Sequence, residues 1–265
     1  MVYKLERFFR FLLIWILDFC YFGEFIVKLL GIWMRPVFIV GCGHSGTTIM
    51  ARILAEHSRI KFIPYETEIF FKVGGERIFC YLKFLLIALL RGHKYVLEKT
   101  PSHILHLNSI LSEIPKAKVI VLIRDGRDVA LSRRDRNGST VETEIIEWVE
   151  RNKKSIQFFK HPSVKIVRYE DFIHDSSNVI NDILLFLNLP NEYLLNYHKK
   201  PVTWGSKDLT RPQRKDGSWH GQYRNWQINQ PLYSNSVGRW KSEMSYYEKL
   251  ICEKHAADLL KLFGY

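Results

Sequence analysis

The sequence predicts an α/β domain in three layers, with a mainly parallel central sheet of about five strands and helices on both faces. Three observations carry that prediction. Short β-branched runs alternate with longer stretches of helical period. A cluster of polar residues follows the runs, where an open parallel sheet places its ligands. One of these clusters is a glycine-rich turn between a strand and a helix. The 265 residues suffice for one such domain with a sizeable core. Hydrophobic residues at 47% and charged residues at 25% fit a globular protein.

Two parts are expected: an apolar helical segment over residues 1–34 and one domain over 35–265. The first segment mixes Lys4, Arg7 and Arg10 with many Phe, Trp and Leu residues. A membrane-surface helix fits that mixture, and a helix packed on the domain's own core fits it equally. A membrane span is a weaker reading, because Asp18, Glu24 and Lys28 would lie in the bilayer. Membrane-associated and cytoplasmic locations both remain open. Residues 36–40 then read as a buried strand, and a helix follows from 45 to about 57. A second strand is expected at 60–63 and a strongly apolar helix at 76–90. The third strand is 95–98, with Pro101 opening the next helix. Residues 118–123, KVIVLI, form the clearest strand and lead to a helix at 129–136. A helix at 142–159, a strand at 164–168 and a helix at 176–187 follow. Residues 200–230 are basic, rich in Trp and Gly and without clear period, so a functional loop is expected. A helix over 245–263 closes the chain.

The turn after the first strand reads GCGHSGTT, with Gly41, Gly43 and Gly46 among Ser45, Thr47 and Thr48. Glycines let backbone N–H groups point inward, and the following helix adds positive partial charge, so the turn can cradle an anion. Gly41 and Gly46 have Walker A spacing, but Thr47 stands where that motif has lysine. This argues against an ordinary nucleotide kinase. A second anion site is suggested by Arg124 at a strand end and Ser132 on the next helix. A surface arginine paired with Asp125 or Asp128 is the plainer alternative for Arg124. The net charge of +12 implies a negatively charged partner. The four cysteines are far apart, which supports no metal or redox motif.

Taken together, GCGHSGTT and KVIVLIRDGRDVALSR make the sequence resemble the sulfotransferases that use 3′-phosphoadenosine 5′-phosphosulfate (PAPS). Glu98-Lys99-Thr100-Pro101, Arg168-Tyr169-Glu170-Asp171-Phe172 and Ser236-Val237-Gly238-Arg239-Trp240-Lys241 resemble further family segments in the same order. The likeness is nearer to the carbohydrate, membrane-associated and bacterial branches than to the cytosolic phenol-type branch. It implies a P-loop-like fold and transfer of a sulfonyl group from PAPS to an acceptor hydroxyl, releasing 3′,5′-ADP. It implies donor contacts from Gly43, His44, Ser45, Gly46, Thr47, Thr48, Arg124, Ser132 and Tyr169. Arg239, Trp240 and Lys241 are less direct candidates. No metal is expected, since no acidic cluster stands beside the loop.

The reaction needs a cation at the leaving oxygen and a base for the acceptor. The family has lysine or arginine where this chain has His44, a departure that leaves His44 and Lys99 as candidates for the cation. An ion pair with Glu98 or another carboxylate is the alternative role for Lys99. Glu66 is the expected base: the Glu66-Thr67 pair resembles the base position of the protein-tyrosine and carbohydrate branches, and nearby Ile63 and Phe70 suit general-base work. A carboxylate at a helix N-terminus is its alternative role. Glu68 competes for the role of base, and His103 is a runner-up. The expected acceptor is a carbohydrate or lipid-linked molecule, with residues 1–34 as a possible membrane contact and no specific nucleic acid. A P-loop nucleotide kinase and a basic polyanion- or membrane-surface-binding module are the competing readings.

Overall fold

The computed structural model describes residues 30, 32, 35–91, 93–204, 209–211 and 219–265. The expected N-terminal segment therefore lies outside the described residues, save Leu30 and Ile32. Five strands form one sheet in the order β2-β3-β1-β4-β5: β1 Pro36–Gly41, β2 Ile60–Phe62, β3 Tyr95–Lys99, β4 Lys118–Ile123 and β5 Val164–Arg168. Every pairing is parallel. β1 lies at the centre and all its residues are buried. Buried on both faces, β1 and β4 read as continuous apolar runs, which is why they are the plainest strands in the sequence.

Alternation along β1 feeds two cores. Phe38 and Val40 join one, with Ile78, Ile110, Trp148 and Leu259. Val37 and Ile39 join the other, with Met50, Leu54, Phe172 and Ile183. The helices among the described residues are α1 Thr47–Leu54, α2 Gly74–Arg91, α3 Leu107–Glu113, α4 Gly126–Asn137, α5 Val141–Ile156, α6 Tyr169–His174, α7 Ser176–Phe186, α8 Trp219–Gln227, α9 Trp240–Glu243 and α10 Tyr246–Leu262. No helix among the described residues is long and apolar enough to cross a membrane.

Several boundaries differ from expectation for local reasons. The segment after Pro101 begins as a 3₁₀ helix, Pro101–His106, before α3. α4 starts at Gly126, because the Asp125 side chain accepts the Arg127 N–H and caps the helix. Gly126 packs face-on to Trp148; a Cβ there would meet the indole at 2.7 Å. α6 follows β5 directly and carries no side-chain cap. The 200–230 stretch is not all loop, since α8 lies within it. Its described ends are held by side chains that bond backbone. Buried Arg52 donates to the carbonyls of Tyr197 and Lys200 at 2.7 and 2.6 Å. Asn229 bonds both the N–H and the carbonyl of Val202.

Candidate active site

After β1 the chain heads to one side of the sheet, and after β4 to the other. The carboxyl ends of these adjacent strands therefore frame a crevice. Residues 42–46 turn through it from β1. His44 has φ of 70° and Gly46 of 87°, both left-handed. Gly46 is required twice over, because a Cβ there would also meet the Tyr169 ring at 2.4 Å. Ser45 and Thr47 are buried, and the Ser45 hydroxyl has no protein partner.

Across the crevice, Arg124 leaves the end of β4. Its Nη1 donates to the His44 carbonyl at 2.8 Å and its Nη2 to the Ser236 carbonyl. Its guanidinium lies over the Tyr169 ring, 4.8 Å from the centroid. Its Nε is buried without a partner. The alternative Arg124–Asp128 pairing is long, 4.0 Å, because the Asp128 carboxylate is engaged elsewhere. Its carboxylate accepts the N–H groups of Gly238 (2.6 Å) and Trp240 (2.9 Å). Burial raises the Asp128 pKa, and these bonds oppose the rise. The Tyr169 hydroxyl bonds the Ser236 hydroxyl at 2.8 Å. Next to it, Glu170 accepts the Asp125 N–H at 3.0 Å and the Tyr265 hydroxyl. Loop, β4 end, α6 and the 236–240 segment are thus one bonded unit.

Ser132 lies on α4, and its hydroxyl is 2.7 Å from His44 Nδ1. His44 Nε2 faces Arg136 Nη1 at 3.2 Å. Arginine can only donate, so Nε2 is the acceptor and Nδ1 carries the proton to Ser132. Burial, then Arg136, Arg133 and Arg124, lowers the His44 pKa to about 3. The imidazole is neutral at physiological pH.

Glu66 and Lys99 meet on the β2–β3 side. Lys99 Nζ, nearly buried, is paired with the Glu66 carboxylate, whose side chain is 36% exposed. An ion pair replaces the apolar setting expected for Glu66. Burial lowers the Lys99 pKa, and Glu66 opposes the shift. Both residues line a cavity of about 60 Å³ with Thr48, Phe62, Tyr65, Trp204, Arg224 and Ile228. The Phe62 and Trp204 rings lie 4.3 Å apart.

The runners-up stand apart from this cavity. Glu68 is exposed and in left-handed geometry ahead of a 3₁₀ turn. His103 is wholly buried with Nδ1 at 3.3 Å from Glu98. Glu98, also wholly buried, accepts from Thr67 N, Thr67 Oγ1 and Thr100 Oγ1. Burial pushes its pKa up, but His103, Thr100 and Thr67 together pull it below the ordinary value. Glu98 is thus a knot joining β3 to residue 67, and it places Glu66.

Of the closing segment, Trp240 takes the Arg127 guanidinium at 3.7 Å from its ring centroid and packs against the first core. Arg239 pairs with Asp135 and Glu243 at 3.1 and 2.6 Å. Lys241 is exposed and offers its carbonyl to Lys249. The crevice contacts of this segment come from Ser236. Arg136 and Arg224 escaped the sequence reading, which named Asp128 only as a partner for Arg124 and Ser236 only as the start of a family-like segment. Their partners are distant in sequence, and only the RDGRD cluster hinted at Asp128. Among the described residues there is no group of three His, Cys, Asp or Glu side chains that could hold a metal ion.

The model of a family described as the sulfotransferase family matches residues 36–79 and 81–193. A curated relative, an uncharacterized protein of Aquifex aeolicus, is 25% identical over 259 residues. That match takes in 82% of this chain, and the chain spans about a third, 32%, of the relative's length. The fold is similar to the sulfotransferase domain of the Synechococcus PCC 7002 olefin synthase, at a TM-score of 0.57 and 16% identity over 88% of this chain and 96% of that one. It is also similar to a mouse sulfotransferase complexed with PAP, at 0.57 and 15% over 90% and 92%. The sulfotransferase domain of the curacin biosynthetic pathway gives 0.56 and 17% over 86% and 98%.

Proposed function

We propose a reaction for this chain, which belongs to the sulfotransferase family: it moves a sulfonyl group from PAPS to an acceptor hydroxyl and releases 3′,5′-ADP. What supports the donor assignment is the glycine turn and Arg124 at the ends of neighbouring strands, each with a buried polar atom left without a partner. The loop after β1 would hold the 5′-phosphosulfate through its N–H groups and the hydroxyls of Ser45, Thr47 and Thr48. Arg124 and Ser132 would hold the 3′-phosphate. The unpartnered Ser45 hydroxyl and Arg124 Nε fit such ligands, since buried polar groups normally have partners. Tyr169 positions the loop through Gly46, and Trp240 anchors the closing segment.

For the chemistry, Glu66 accepts the acceptor's proton as the new O–S bond forms. The S–O bond to the 5′-phosphate breaks, and its electron pair stays on the phosphate oxygen. The Lys99 ammonium, beside Glu66 and Thr48, steadies the sulfonyl oxygens. The ion pair with Lys99 also holds the Glu66 carboxylate in place beside the cavity. The cavity with Phe62, Tyr65 and Trp204 supports a carbohydrate acceptor, because flat rings pair well with sugar faces and a few polar groups fix orientation. Exposed Leu82 and Leu86 on α2 support a lipid-linked form of that acceptor, met at a membrane surface.

Calorimetric titration tests the donor assignment. Saturable binding of 3′,5′-ADP, with weaker binding of ATP–Mg²⁺, is expected. Tight ATP–Mg²⁺ binding without 3′,5′-ADP binding would favour the kinase reading instead. Acceptor class is tested by sulfonyl transfer from labelled PAPS to neutral sugars, glycolipids and phenols. Labelling of phenols alone rejects the carbohydrate assignment.

A further inference from the structure

We propose that Arg136 is the cation that offsets charge on the leaving nucleotide, standing in for residue 44; this rests on the PAPS reading above. Negative charge grows on the phosphate oxygen as the S–O bond breaks, so a positive group beside the loop lowers the barrier. His44 is in the right place but neutral. It receives a hydrogen bond from Arg136 and gives one to Ser132. Lys99 is positive, but its ammonium is engaged by Glu66.

Arg136 differs from the other arginines near it. Arg127 is held by Asp125, Arg133 by Glu144 and Glu147, and Arg134 by Asp135 and Glu248. Arg136 has no carboxylate within ion-pair distance among the described residues. It lies one helical turn beyond Ser132, so both side chains reach the same side of α4 toward His44. Arg224, which lines the cavity with Glu66 and Lys99, adds a second positive charge close by. Burial, Arg224 and Arg133 all press the Arg136 pKa downward, and Glu66 only partly offsets them. An anion among these groups relieves that crowding.

In the step, the acceptor oxygen bonds to sulfur, its proton passes to the Glu66 carboxylate, and the bridging S–O bond breaks. The electron pair remains on the phosphate oxygen, which accepts a hydrogen bond from the Arg136 guanidinium. No proton leaves Arg136. A purely structural arginine, fixing the His44 ring, makes different predictions.

The test is release of 3′,5′-ADP from PAPS with water as acceptor, followed for the whole chain. Arg136→Gln should slow release at saturating PAPS by about 100-fold, the cost of one missing transition-state donor. The affinity for 3′,5′-ADP should change much less. Adding His44→Lys to Arg136→Gln brings a cation back to the loop and should recover most of the rate. Unchanged release by Arg136→Gln overturns the proposal. So does a loss that His44→Lys fails to restore in a protein that still binds 3′,5′-ADP, and so does a wild type that binds but releases nothing. A wild type that does not bind 3′,5′-ADP sinks the donor reading itself, and this proposal with it.

Discussion

At the ends of β1 and β4, most strong polar groups are tied to another element. Arg124 spans the loop and the Ser236 carbonyl, Asp128 grips the backbone at 238 and 240, and Tyr169 touches both Gly46 and Ser236. On the β2–β3 side, one ion pair sits at the mouth of a small cavity, and the walls come from aromatic rings and α8. Only Glu98, behind the ion pair, is bonded as thoroughly. The first region is built before any ligand arrives, as recognition of a fixed nucleotide requires. The second commits few groups to fixed geometry, as a site defined by its acceptor does. On the proposed reaction, donor recognition and acceptor chemistry should therefore be separable by mutation.

Five substitutions press on that comparison. Glu66→Gln should cut turnover by about 10²- to 10⁴-fold, the usual share of general-base catalysis, while calorimetry shows unchanged 3′,5′-ADP affinity. Wild-type turnover in that variant removes Glu66 as base and blurs the division. Arg124→Ala should do the reverse. Losing hydrogen bonds from a charged group costs about 1.5–3 kcal/mol, so 3′,5′-ADP should bind roughly 10- to 100-fold more weakly, with 5′-AMP affected less. Equal weakening of both nucleotides means that Arg124 holds the loop rather than the 3′-phosphate. Ser132→Ala should act in the same direction.

Asp128→Ala touches neither ligand. It leaves the Gly238 and Trp240 N–H groups without their acceptor, at about 1–3 kcal/mol. Faster proteolysis near residues 236–240 and a lower Tm should follow, and an unaltered cleavage rate there would show the clasp to be slack. The smallest effect is a pH dependence. The His44 pKa in the folded chain, about 3, lies below the ordinary 6.5. The neutral ring's contribution to stability is then complete above pH 6.5 and shrinks as pH falls from 6.5 toward 3. Thermal unfolding from pH 7.5 to 4.5 should show a shallower loss for His44→Asn than for the wild type. Parallel curves would mean that the ring titrates normally.

The same division governs what could be read from the chain alone. β1, β4 and the glycine turn are local signals, because a doubly buried strand must be apolar and a turn with positive φ favours glycine. Arg124 and Ser132 stand at a fixed spacing across one strand–helix junction, so they could be singled out as candidates, and the structure brings both to His44. α8 was not, since its polar, Trp-rich sequence takes shape against distant neighbours such as the backbone held by Arg52 and Asn229. Asp128 looked like a surface partner for Arg124, because its true partners lie in the closing segment. The neutral state of His44 depends first on its burial and then on arginines brought together by folding. Glu66 could be picked as a candidate by its place after β2, whereas its pairing with Lys99 required the register of β3.

The contact between Gly46 and the Tyr169 ring also binds the chain's descendants. The ring fills the space where a side chain at 46 would begin, so neither position can drift alone. Among relatives, a larger residue at 46 should be found only with a smaller or re-aimed residue at 169, and the left-handed backbone at 46 narrows even that choice. Two short motifs more than a hundred residues apart thus behave in inheritance as one character.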